Sequence, residues 1–110
     1  MVKSIVFLKR RPGMSVEEFH DHWRNHLASL VLQLPGVTRY VQCRPVSLGR
    51  GEPPYDGVAE VWFEDLESLR QAVRTPAWQA VLDDEQNFMG HTTQQAAALT
   101  VEEDEIPVPR

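Results

Sequence analysis

The chain has 110 residues, a formal charge of −5 and a single cysteine, with 42% hydrophobic and 25% charged residues. That length supports one core and not two, the lone Cys43 excludes an internal disulfide and makes a reduced, cytoplasmic setting the expectation, and no apolar run approaches the roughly 20 residues that span a bilayer. Charge is split, +4 over residues 1–55 and −9 over residues 56–110, so no long-range attraction to nucleic acid or to an anionic membrane is expected.

No basic segment followed by an apolar stretch opens the chain, so a secretory leader is not expected. Val2 to Arg10 alternates as a strand, with Val2, Val6 and Leu8 on one face and Ile5 and Phe7 on the other. Apolar residues on both faces call for cover on both. Pro12-Gly13 turns the chain, and Ser15 with Glu18 forms an S-x-x-E capping box. The box opens a helix predicted over Ser15 to Leu34, with Phe19, Trp23, Leu27, Leu30, Val31 and Leu34 as its apolar stripe and His22 and His26 along the stripe's edge. Pro35-Gly36 stops it. Val37 to Arg44 is the second strand, and Pro45 to Asp56 is a Gly- and Pro-rich loop. Gly57 to Phe63 is the third strand, with Val58, Glu60 and Trp62 on one face and Ala59, Val61 and Phe63 on the other. Asp65 caps the next helix, which turns Leu66, Leu69, Ala72 and Val73 inward. Thr75-Pro76 ends it and starts another, on which Trp78, Val81, Leu82, Glu85 and Phe88 continue the stripe. Ala96 to Glu102 is the last strand.

The order β-α-β-β-α-β predicts an α+β fold of the ferredoxin-like type, a four-stranded antiparallel sheet with helices on one face. The domain is placed at residues 1–104, with a tail at 105–110. The helix-free face, with its Val and Phe side chains, would be a large apolar patch in a monomer. A symmetric homodimer that buries it is therefore expected.

His22 and His26 are four apart and share a helix face. Imidazole titrates near neutrality, where general acid–base catalysis needs its pKa, so both are catalytic candidates. Two histidines at this spacing also suit a metal such as Zn²⁺, with Glu60, Asp83, Glu85 or His91 as a third ligand. The H-E-x-x-H pattern is missing, and no metal is assigned. The plain alternative is a hydrogen-bonded pair at the helix surface. Glu60, on a half-buried strand, needs a partner; Arg39 across the sheet is expected, with a raised-pKa acid–base group or an interface position as alternatives. Trp23, Tyr40, Trp62, Trp78 and Phe88 are either core or the walls of a pocket for a flat ligand. Cys43 reads as a small buried hydrophobe. Without a G-x-G-x-x-G, Walker A, C-x-x-C or nucleophile-elbow motif, no cofactor is predicted.

Taken in order and spacing, VKSIVFLKRRPGMS, EEFHDHWRNH, LPGVTRYV, YDGVAEVWF and DDEQNF resemble the EthD domain family from about Val2 to Glu103. The resemblance implies a dimeric α/β barrel with a ligand cleft between the helices and the sheet of each subunit. It also implies a hydrophobic small-molecule ligand, aromatic or polyketide-like. Set beside the candidates above, it suggests cofactor-free proton transfer of dehydratase, isomerase or monooxygenase type. His22 and His26 would then be catalytic, with Trp23, Tyr40, Glu60, Trp62 and Phe88 around the ligand. One departure counts against an enzyme. Family members often carry W-x-x-x-H-A on this helix, and here Leu27 and Ala28 stand in the His-Ala places. The usual histidine's role does not transfer to His26, and a non-catalytic ligand-binding or accessory protein is the rival reading.

Overall fold

Four strands, β1 (Val2–Leu8), β2 (Val37–Cys43), β3 (Gly57–Phe63) and β4 (Ala98–Glu102), pair antiparallel in the order β2-β3-β1-β4. This is the ferredoxin-like arrangement that the element order predicts. The computed structural model describes residues 1–49, 51–90 and 97–110; the predicted start of β4 at Ala96 and the candidate ligand His91 lie outside the described residues. Opposite neighbours in the register share a face. Ile5 stands across from Glu60 and Leu99, and Lys3 from Trp62 and Val101, on the helix-free side. Ser4, Val6 and Leu8 face the helices together with Ala59 and Val61.

The helices start where the sequence caps them. Glu18 N–H donates to Ser15 Oγ (3.1 Å), and Ser15 N–H donates to the Glu18 carboxylate (3.0 Å), which opens α1 (Val16–His22). Ser68 N–H donates to Asp65 at the head of α3 (Leu66–Ala72), and Trp78 N–H donates to Thr75 Oγ1 at the head of α4 (Pro76–Glu85). Among the described residues no helix is long and apolar enough to cross a membrane.

The first helix is not the uninterrupted α-helix predicted. A π-helical segment, Trp23–Leu27, lies between α1 and α2 (Ala28–Val31), and Ala28 N–H reaches back to the Trp23 carbonyl. The stripe supplies the reason. Its buried members Phe19, Trp23, Leu27 and Val31 fall every fourth residue, and four α-helical residues turn about 40° past a full circle. A wider π turn takes up that excess, so all four side chains stay over the sheet. They pack with Leu8, Ala59, Val81, Phe88 and Met89 as the main core, beside a smaller cluster of Val2, Phe63 and Ala72.

On the helix-free face Trp62 is only 5% exposed. The Lys3 ammonium lies 4.8 Å and the Arg39 guanidinium 4.5 Å from its ring centroid, and its indole N–H donates to Glu103. Lys3 also bridges Glu60 (2.9 Å) and Glu103 (3.1 Å). The partner of Glu60 is therefore Lys3, not Arg39. The register puts both cations opposite Trp62, on the two strands flanking β3; from there Lys3 reaches Glu60, while Arg39 stacks on the indole. Cys43 is also corrected: it is exposed, because it ends a strand at the sheet's edge.

Asp56, closing the long loop, is buried and ties several segments together. Its carboxylate accepts from the Arg10 N–H (2.8 Å) and guanidinium (2.7 Å), its own N–H donates to the Leu8 carbonyl (2.8 Å), and its carbonyl accepts from His20 Nε2 (2.8 Å).

Candidate functional site

A cavity of about 290 Å³ separates the helices from the sheet. Val6, Leu8, Ala59 and Val61 line it from the strands, and Leu27, Val31, Trp78 and Val81 from the helices. The cleft implied by the family resemblance is thus present as space within one subunit. Its wall is apolar except for a few groups, which is the usual composition of a small-molecule pocket.

Three of those groups come together. Trp23 reaches the wall because the π turn keeps it over the sheet, and because Gly57 leaves room beneath it: a Cβ there would lie 2.6 Å from two of its ring carbons. Tyr40 projects inward from β2. Gln42 Nε2 donates both to the Tyr40 hydroxyl (2.9 Å) and to the Trp23 carbonyl (3.0 Å). Having accepted that bond, the Tyr40 hydroxyl keeps its own proton to donate. Trp23 Nε1 is buried near the Tyr40 hydroxyl and makes no well-formed hydrogen bond among the described residues. Glu85, 3% exposed, completes the group from α4. Burial pushes the Tyr40 phenol up; Gln42 and the Trp23 indole pull it down, the Glu85 charge adds to the rise, and the net direction is upward. Tyr40 is therefore a neutral donor at physiological pH.

The candidate residues named from sequence fall in three places. Trp23 and Tyr40 line the cavity. Glu60 and Trp62 lie on the opposite face of the sheet, and Phe88 is fully buried between Phe19 and His22, off the cavity wall. His22 and His26 do not line the cavity either. Their rings lie tilted by 34° against each other, centroids 4.8 Å apart, beside Asp84. His22 Nε2 lies 2.9 and 3.0 Å from the two carboxylate oxygens, and His26 Nδ1 lies 3.1 Å from one of them. Burial raises the Asp84 carboxyl, but hydrogen bonds from Asn87, His26 and His22, with the His22 charge, hold it below the ordinary carboxylate range.

Sequence reasoning missed Asp84 and Gln42. It placed Glu85 on the inward stripe, four residues after Val81, without assigning it to a pocket. The stripe spacing was the available signal for Glu85; nothing in the run Asp83-Asp84-Glu85 marks which acid faces the histidines.

Comparison with known proteins places this geometry. An ethyl tert-butyl ether D (EthD) family protein from Bacillus halodurans C-125 is similar at 28% identity and a TM-score of 0.76, over 94% of this chain and 100% of that one. SnoaB from Streptomyces nogalater, a cofactor-independent oxygenase, superposes with a TM-score of 0.68 at 13% identity, over 96% and 94% of the two chains. A dimeric protein of ferredoxin-like fold from Bacteroides fragilis gives 0.65 at 16%, over 93% and 95%. No curated protein matches significantly. The EthD domain profile matches residues 11–92, and with three-quarters of its length inside that match the chain belongs to the EthD domain family.

Proposed function

We propose that the protein binds a hydrophobic, aromatic or polyketide-like small molecule in the cavity and acts on it as a cofactor-free proton-transfer enzyme. The supporting observation is the meeting of Glu85, Tyr40 and a buried Trp23 N–H, without a well-formed hydrogen bond among the described residues, on one wall of an otherwise apolar space. In this reading Glu85 takes a proton from a carbon beside a carbonyl or phenol. The Tyr40 hydroxyl and the Trp23 N–H donate to the oxygen where negative charge develops. The conjugated ring system spreads that charge. Dehydration, isomerisation or reaction with oxygen can each follow such a step, and the fold shared with SnoaB is consistent with the last. The acid–base role expected of His22 and His26 is assigned in this reading to Glu85, which lines the cavity where the histidines do not.

The functional unit of this proposal is a homodimer in the cytoplasm. Ile5, Phe7, Val41, Val58 and Val101 share the helix-free face with the Trp62 cluster, and ferredoxin-like relatives of the same fold are dimeric. Light scattering on the eluted protein tests this, and a monomer at micromolar concentration would count against it.

The test of binding uses anthrone, a flat carbon acid, followed by quenching of tryptophan fluorescence. Val81→Phe, which fills the cavity, is expected to weaken binding about tenfold or more, equivalent to about 1.4 kcal/mol; unchanged affinity removes the cavity as the site. Glu85→Gln should keep binding but slow deuterium exchange at the acidic carbon. Leu27 in place of the family's usual histidine favours the accessory reading, and exchange no faster than in buffer with the wild-type protein would establish it.

A further inference from the structure

We propose that His22, His26 and Asp84 form a binding site for a divalent transition-metal ion of the Zn²⁺ class, outside the cavity. Each residue offers one ligand atom, and the three atoms lie within 4.8 Å of one another. The two nitrogen-to-oxygen separations, 2.9 and 3.1 Å, are close to the spacing of ligands that share one ion at roughly 2.0–2.2 Å. The longer imidazole-to-imidazole gap would close by a turn of His26, whose side chain is 59% exposed.

The donor chemistry narrows the ion. Two imidazoles and one carboxylate suit Zn²⁺, Co²⁺ or Ni²⁺, whereas Mg²⁺ and Ca²⁺ prefer oxygen throughout. The carboxylate is also oriented from behind: Asn87 Nδ2 donates to Asp84 Oδ1 at 3.0 Å, and such outer bonds align metal ligands. Asp84 is 4% exposed while His26 opens to solvent, so water can complete the coordination sphere. The pair spans the start of the π turn. Four residues apart on one helix face, His22 and His26 bring their rings side by side.

The ion would bridge the first helix to α4. His22 adjoins Trp23 in the chain, and Asp84 adjoins Glu85. In each pair one residue faces the ion and its neighbour lines the cavity. Occupancy would therefore brace that wall without entering the pocket. This inference does not depend on the proposed reaction.

The experiment uses the untagged, metal-free full chain, titrated separately with Co²⁺ and Zn²⁺. One equivalent of Co²⁺ is expected to bind with a Kd of about 10 μM or tighter, giving visible d–d absorption, and Zn²⁺ should raise the melting temperature. His26→Ala changes an exposed side chain and should fold normally, yet weaken binding by at least about tenfold; Asn87→Ala should weaken it about 10-fold or more by freeing the carboxylate. No saturable binding of either ion below about 1 mM, or binding unchanged in His26→Ala, overturns the proposal.

Discussion

Gly57→Ala places the packing beneath the cavity under direct test. The optimal separation of two carbons is about 3.5–4.0 Å, and a methyl at position 57 would stand 2.6 Å from both Cζ3 and Cη2 of Trp23. The overlap is about 1 Å with two atoms of a rigid ring. Neither side can yield freely: Gly57 lies in a paired strand, and Trp23 is 1% exposed with Phe19 against it. Overpacking of this kind costs about 1–3 kcal/mol, and alanine's advantage over glycine in a strand returns about 0.5–1 kcal/mol. The net expectation is a loss of about 1–2 kcal/mol. With an unfolding entropy of about 2.1 cal/mol/K per residue, the melting temperature should fall by about 4–9 °C. Urea titration should show a lower midpoint with an unchanged slope. In a Trp23→Leu background the same change should cost almost nothing, since the two effects arise from one contact. A Gly57→Ala protein as stable as the parent, or an equal loss without the indole, would refute the reasoning.

Tyr40 gives a signature at high pH. Its folded pKa is raised above 10.0, so the folded chain holds this proton more tightly than the unfolded one, and the associated stability is complete below pH 10 and lost as pH climbs through the folded value. Absorbance at the phenolate band should show one tyrosine titrating later in the native protein than in urea, and Tyr40→Phe should remove that component; a native curve matching the unfolded one would contradict the burial argument. Thr75→Ala removes the N-cap of α4 and should cost about 1 kcal/mol in urea unfolding. Thr75→Ser should restore most of it, because the hydroxyl and not the methyl accepts the Trp78 N–H.

Local signals carried much of the fold. Ser15 with Glu18, Asp65, and Thr75 with Pro76 each announce a helix start by their own chemistry, and each cap forms as written. Strand alternation assigned Ala59 and Val61 to one face and Glu60 and Trp62 to the other, and the register agrees. What stayed hidden depends on distant segments. The even spacing of Phe19, Trp23, Leu27 and Val31 reads as an ordinary stripe until the sheet demands that all four face it, and then it needs a π turn. The choice of Lys3 over Arg39 for Glu60 was not legible, because the register puts both cations opposite Trp62, on the two strands that flank β3. Asp84 could not be told from Asp83 or Glu85, because only the rotation of α4 against the first helix decides which acid meets the histidines. Glu85 was legible as inward-facing, but the space it faces was not.

The four ties on Asp56 have a consequence for the chain before it. They act as a clasp, fixing where the excursion from Arg44 rejoins the sheet whatever path it takes between. Doubling the length of a loop closed at both ends adds only about 0.6 kcal/mol of closure entropy. The span from Pro45 to Pro54 can thus be lengthened or exchanged with little penalty to folding, which makes it the natural handle for a graft.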